Sequence, residues 1–190
     1  MSTGPPTAGG PDGAVDRAAI AREMDDARAS LLRLLAAAGS ADLRRRSNGT
    51  RWTNEQLLFH MVFGYLVVRT LLPLVHLIGR LPASVGRGWA LLLNSATRPF
   101  HVVNYWGSVA GARVFTVARM GSLADRTIAA LQRSLMREPE AALDRGMPFP
   151  VGWDPYFRDR MSLAEVYRYA TLHFAHHRRQ LTLPNGPQEP

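Results

Sequence analysis

Three of the six histidines of this chain crowd into one short stretch, His173-Phe174-Ala175-His176-His177. A neutral imidazole nitrogen is a common ligand for divalent transition metals, and three of them with an open position make a reactive metal site. On a helix each residue turns about 100°, so His173 and His177 project from one face about 40° apart. Leu163, Val166, Ala170 and Leu181 fall on the same stripe, which turns the pair toward a core. His176 lies about 60° to the other side of His173, nearer the edge. A pair at this spacing is more often structural than metal-binding, so a third ligand from a facing element has to decide. His60 supplies the candidate. It shares a stripe with Leu57, Gly64, Val67 and Leu71, and Gly64 leaves room beside it. Three imidazoles, His60, His173 and His177, can then converge from two helices. His76 and His101 have no comparable context and read as ordinary histidines.

The elements that must carry these residues are helical. Ala14 to Ala38 is rich in strong helix formers, with Ile20, Met24, Ala27, Leu31, Leu34 and Leu35 at helical spacing. Gly39 is a stop signal, and Ser40 to Arg51 reads as a polar loop. Thr53 with Gln56, and Ser162 with Glu165, have the capping-box spacing that opens a helix. The second helix starts at Thr53, and Pro73 should kink or end it. The last starts at Ser162 and runs to about Leu183, closed by Pro184. A third helical region spans roughly Ser108 to Arg137, with Gly111 and Gly121 as interruption points and Ser122 able to cap a restart. Glu138 to Arg160 contains four prolines, Pro139, Pro148, Pro150 and Pro155, and reads as loop. No alternating strand pattern and no internal repeat is apparent. The expected architecture is all-α: an antiparallel four-helix bundle over residues 14–183. A long apolar connection containing glycine and proline, Gly79 to Gly107, joins helices two and three and holds one short helix. The Pro/Gly-rich residues 1–13 read as a disordered tail and 184–190 as a second.

Composition removes several chemistries. The chain has no cysteine, so a thiolate ligand, a cysteine nucleophile and a disulfide framework are excluded. All 23 basic residues are arginine, which excludes a Schiff-base or P-loop lysine. The formal net charge of +8 permits nucleic acid or an anionic membrane as partner but specifies neither. Arg44, Arg45, Arg46 and Arg51 form a basic loop without a nucleic-acid recognition motif, so that partner is disfavoured. Leu57 to Ile78 is long enough to span a bilayer. Arg69 near its middle costs roughly 2.5–3.5 kcal/mol on insertion scales, which favours a core helix over a membrane span.

Two segments resemble the DinB-like (YfiT-like) metal-binding four-helix-bundle family. One is Trp52-Thr53 followed by Glu55, Leu57, Leu58 and His60. The other is Ser162-Leu163-Ala164-Glu165 followed by His173, His176, His177, Arg178 and Gln180. The resemblance implies that His60, His173 and His177 hold one divalent metal, often zinc or nickel, while His176 occupies a motif position that is not usually a ligand. It also implies a relation to S-transferases and isomerases that use a low-molecular-weight thiol such as mycothiol or bacillithiol. Two departures bear on the substrate: Arg179 stands where the family often has glycine, and the Gly79 to Gly107 connection is long and apolar.

The expectation is therefore a cytoplasmic metal-dependent enzyme, a thiol transferase or isomerase, with a thiol as cosubstrate and a small molecule as substrate. The family's habits add a homodimer. The rival is a non-enzymatic helical bundle that acts by association, as a dimer or at a membrane. No carboxylate is legible as a general base. Glu55 and Glu165 lie off the histidine stripes, and Tyr167, Tyr169 and Phe174 read as packing.

Overall fold

The computed structural model describes residues 14–183; the two segments read as tails, 1–13 and 184–190, lie outside them. The chain is mostly helical. Helix α1 (Arg17–Ala37) opens where the Asp16 side chain accepts the Ala19 N–H at 2.7 Å. A short α2 (Ser40–Arg44) follows, inside what reads as a polar loop. Helix α3 (Asn54–Ile78) begins with the expected capping box, Thr53 and Gln56 each bonding the other's backbone. Pro73 does not end it. The residues beyond it, Val75 and Ile78, are buried, and their packing carries the helix on to Gly79.

The connection from α3 onward contains two helices rather than one short helix. They are α4 (Ala83–Ser95) and α5 (Thr97–Val114). The break before the next helix falls at Phe115 and Thr116, not at Gly111 or Gly121, which both lie within helices. Helix α6 (Val117–Arg137) runs unbroken through Ser122. A single turn, α7 (Glu140–Leu143), precedes strands β1 (Gly146–Pro148) and β2 (Arg160–Ser162). These pair antiparallel, Gly146 opposite Ser162. Strands of three residues are too short to show an alternating pattern in the sequence.

The last helix, α8 (Leu163–Arg178), opens on the Ser162–Glu165 capping box. It stops at Arg178, short of Leu183. The residues after it make other bonds: Asn48 donates to the Gln180 carbonyl at 2.7 Å, and the Thr182 N–H donates to Asn54 Oδ1 at 3.1 Å.

Helices α1, α3, α6 and α8 form the four-helix bundle, in which α1 and α3 each pack against α6 and α8. Its core holds the fully buried Met24, Leu57, Leu58, Met61, Met120, Leu131, Leu135 and Tyr167. Truncating one such leucine to alanine costs roughly 2–5 kcal/mol. Arg168 on α8 donates to the two carboxylate oxygens of Glu23 on α1 through Nε and Nη2, a fork that fixes the register of the two helices. At the far end of the bundle Glu138 Oε1 accepts from the Tyr167 hydroxyl at 2.8 Å and meets His76 Nε2 at 3.0 Å. That contact is His76's structural role.

The pair α4–α5 lies outside the bundle. Helix α5 docks on α3 at Gly111, where an added Cβ would come within 2.0 Å of the Phe59 ring. Only glycine permits that approach. The docking brings Ser108 of α5 to the histidines.

Candidate metal centre

The structure brings the three sequence-chosen histidines together. His60 stands in the first half of α3, and His173 and His177 stand one turn apart on α8. His60 and His173 are buried and His177 is half-buried. One ring nitrogen from each lies within 4.8 Å of the others. His60 Nε2 and His173 Nε2 are 3.1 Å apart. Two nitrogens bound at about 2.0–2.1 Å to one tetrahedral ion stand about 3.3 Å apart, so the observed spacing suits a shared ion.

Hydrogen bonding fixes which nitrogens are free. The Ser108 hydroxyl donates its one proton to the Asn104 carbonyl at 2.8 Å. Its oxygen therefore accepts from His60 Nδ1–H at 3.0 Å, and the His60 lone pair is left on Nε2. His177 Nδ1–H donates to Gln180 Oε1 at 2.6 Å, which frees its Nε2 in the same way. Ring nitrogens of metal-binding histidines are held by such partners on the opposite side. His173 Nδ1 has no hydrogen-bond partner among the described residues. It lies over Gly64, where an added Cβ would come within 2.7 Å of it. The room that Gly64 leaves thus serves His173 and not His60.

Trp52 closes one side. Its ring stacks on His60 with centroids 4.3 Å apart and meets His177 edge-on at 6.2 Å. His176 turns away, with its Nδ1 3.4 Å from the Tyr156 hydroxyl, in keeping with a residue that is not a ligand.

Burial makes all three imidazoles poor bases. His60 is lowered to about 3 by desolvation and then by His177. His177 is lowered to about 4, mainly by desolvation. His173 falls well below the ordinary range through desolvation, with His60, His177 and His176 adding to it. All three are neutral at physiological pH, which is the ligand form.

The imidazoles face an apolar pocket of about 300 Å³. Its wall includes Trp89 and Leu93 of α4, Phe100, His101 and Asn104 of α5, and Phe149, Trp153 and Phe157 from the loop between β1 and β2. Among its lining residues Asp154 is the one carboxylate, and no arginine is present. Asp154 sits in a Pro-rich loop without periodicity, so no sequence pattern marks it. Its Oδ2 accepts from the Tyr169 hydroxyl at 2.9 Å and lies 3.9 Å from His173 Nε2. Its Oδ1 accepts the Tyr156 N–H at 2.9 Å. Burial raises its carboxyl above the usual range, and these two hydrogen bonds oppose the rise. Tyr169 thus orients Asp154 as well as packing. Glu165, by contrast, only caps α8 and pairs with Arg158.

The bundle and its converging imidazoles fit a metal-binding helical protein. The chain belongs to the DinB superfamily, which it matches over residues 23–181. No curated protein and no solved structure shows a significant match to it.

Ser108 provides a direct check on the geometry. Ser108→Ala leaves His60 Nδ1–H without its acceptor and releases the tautomer that presents Nε2. Metal affinity is expected to fall about tenfold, at the low end of what lost supporting contacts cost. Competition titration against a chromogenic chelator measures it. An unchanged affinity would mean that Ser108 plays no part in holding His60.

Proposed function

We propose that the chain is a divalent-metal-dependent enzyme in which His60, His173 and His177 hold one ion, zinc or nickel, and a small thiol or water attacks an electrophilic substrate. The observation that supports this reading is the meeting of three neutral imidazoles at one end of an apolar pocket. When bound, such an ion acidifies a water or a thiol, which the cysteine-free chain must take from solution. The chain's own residues do the rest. Trp52 and the hydrogen bonds that His60 and His177 donate to Ser108 and Gln180 keep the ligand nitrogens aimed inward. Trp89, Phe100, Phe149 and Trp153 exclude water and lower the local dielectric, which strengthens every charge interaction inside. Asp154 Oδ2 is the acceptor for a proton released in the pocket, held in place by Tyr169. The absence of arginine from the lining argues against a substrate gripped by its carboxylate there. The wall suits an apolar electrophile.

The test is metal-loaded protein offered mycothiol, bacillithiol or a simple thiol together with an aromatic halide or epoxide. Thiol consumption should require zinc or nickel, stop on chelation and return on reloading. A chain that holds its metal yet turns over none of these, with thiol or with water, removes the catalytic reading and leaves a metal-binding bundle.

A further inference from the structure

The outer face of α4–α5 is built the wrong way round for a surface in water. On α5, Pro99, Val102, Val103, Trp106, Ala110 and Val114 fall within about 120° of helical arc. All of them are exposed, Val103 at 67% and Trp106 at 61%. The inward face of the same helix carries Asn104 and Ser108, which serve the histidines. Helix α4 repeats the pattern with Val85, Leu91 and Leu92, Leu91 at 69% exposure. A solvent-facing helix normally puts its polar side outward, and a contiguous apolar face of this kind marks an interaction surface.

The charge around this face identifies the partner. From Gln56 to Ala124 the sequence has no Asp or Glu, while α4 carries Arg87 and α5 carries Arg98 and Arg113, all exposed. None of these arginines forms an ion pair with a carboxylate among the described residues; the ion pairs formed by arginines use other ones. An exposed apolar stripe containing Trp and flanked by uncompensated arginine is the chemistry of a helix lying at an anionic bilayer surface. A second copy of the chain fits less well. Facing two such surfaces together sets arginine against arginine with no carboxylate in the segment to relieve them.

We infer that α4–α5 is a membrane-surface docking element, seated on anionic phospholipid by Leu91, Leu92, Val102, Val103 and Trp106 and held by Arg87, Arg98 and Arg113. The same two helices supply Trp89, Leu93 and Phe100 to the apolar pocket, so the docked surface and part of the pocket wall belong to one element. Nothing in this inference requires a bound metal.

The test is co-sedimentation of the full chain with vesicles of phosphatidylcholine alone and of phosphatidylcholine mixed with phosphatidylglycerol. Binding is expected only to the anionic vesicles and should weaken with salt. Arg87→Gln/Arg98→Gln/Arg113→Gln should lower the partition on the order of a hundredfold, about fivefold for each charge near the surface. Trp106 fluorescence should be quenched by brominated lipid, and Trp106→Phe should remove that component while binding persists. Circular dichroism and Tm confirm that the variants fold, since every substituted side chain is exposed. Equal partition to neutral vesicles, no partition at all, or a solution dimer dispersed by Trp106→Ser would each overturn the inference, the last by giving the face to a second copy.

Discussion

His173→Ala is expected to abolish stoichiometric metal binding. Untagged wild-type chain, loaded with zinc or nickel and desalted, should carry near one ion per molecule by mass spectrometry, and the variant should carry essentially none. Its affinity should fall by more than about a hundredfold, beyond the range for a lost supporting contact. The loss reaches stability as well. A ligand at a thousand times its Kd stabilises the folded chain by about 4 kcal/mol, and the variant forgoes that increment. The metal-free variant should melt close to metal-free wild type. The removed imidazole is buried with its Nδ1 unpartnered, and the one hydrogen bond it gives up is the contact with His60. His176→Ala is the internal control. His176 faces Tyr156, so its removal should leave the stoichiometry intact. Metal retained by His173→Ala and lost by His176→Ala would show that the wrong histidine has been assigned.

Gly64→Ala separates the metal site from the fold. Alanine within a helix is favoured over glycine by about 1 kcal/mol, so on propensity alone α3 should gain stability. Yet the new methyl would stand 2.7 Å from His173 Nδ1. The ring is buried and cannot swing into solvent, so it must move within the site. The displacement breaks its alignment with His60 Nε2. Metal affinity is expected to fall on the order of a hundredfold, the upper end for disturbed support of a ligand. The Tm of the metal-free protein should stay level or rise. A variant that binds metal as wild type does would show that the His173 ring relaxes without leaving its ligand position. One that loses both metal and fold would show that Gly64 serves the packing of α3 on α8.

The parts of this site that sequence reasoning reached are those set by local rules. Thr53 with Gln56 and Ser162 with Glu165 start their helices because a capping box is complete within four residues. His173 and His177 share a face because helical rotation alone decides it. His60 could be placed on a facing stripe for the same reason. The supporting residues were not reachable that way. Ser108 lies 48 residues from His60 and meets it only because α5 docks through Gly111. Helix α5 itself was hidden because its exposed side is as apolar as its buried one, which erases the contrast that reveals a helix. Gly64 was placed beside the wrong histidine, since the neighbour that fills a glycine's space depends on how the opposing helix is rotated. The end of α8 was overrun because Gln180 and Thr182 are claimed by Asn48 and Asn54, contacts from far along the chain.

The way ligands and walls are distributed has an evolutionary reading. The imidazoles stand on α3 and α8, which also carry the core of the bundle. The pocket's cover stands largely on α4, α5 and the loop between β1 and β2, which lie outside that core. Ser108 and Gly111 apart, mutation can therefore explore the cover at less risk to the scaffold than it can the buried faces of the ligand helices. Chemistry and recognition are separately heritable in such a chain. Grafting residues 79–101 between members of the superfamily, with Ser108 and Gly111 of α5 kept, is accordingly a rational way to retarget the pocket while the histidines stay where they are.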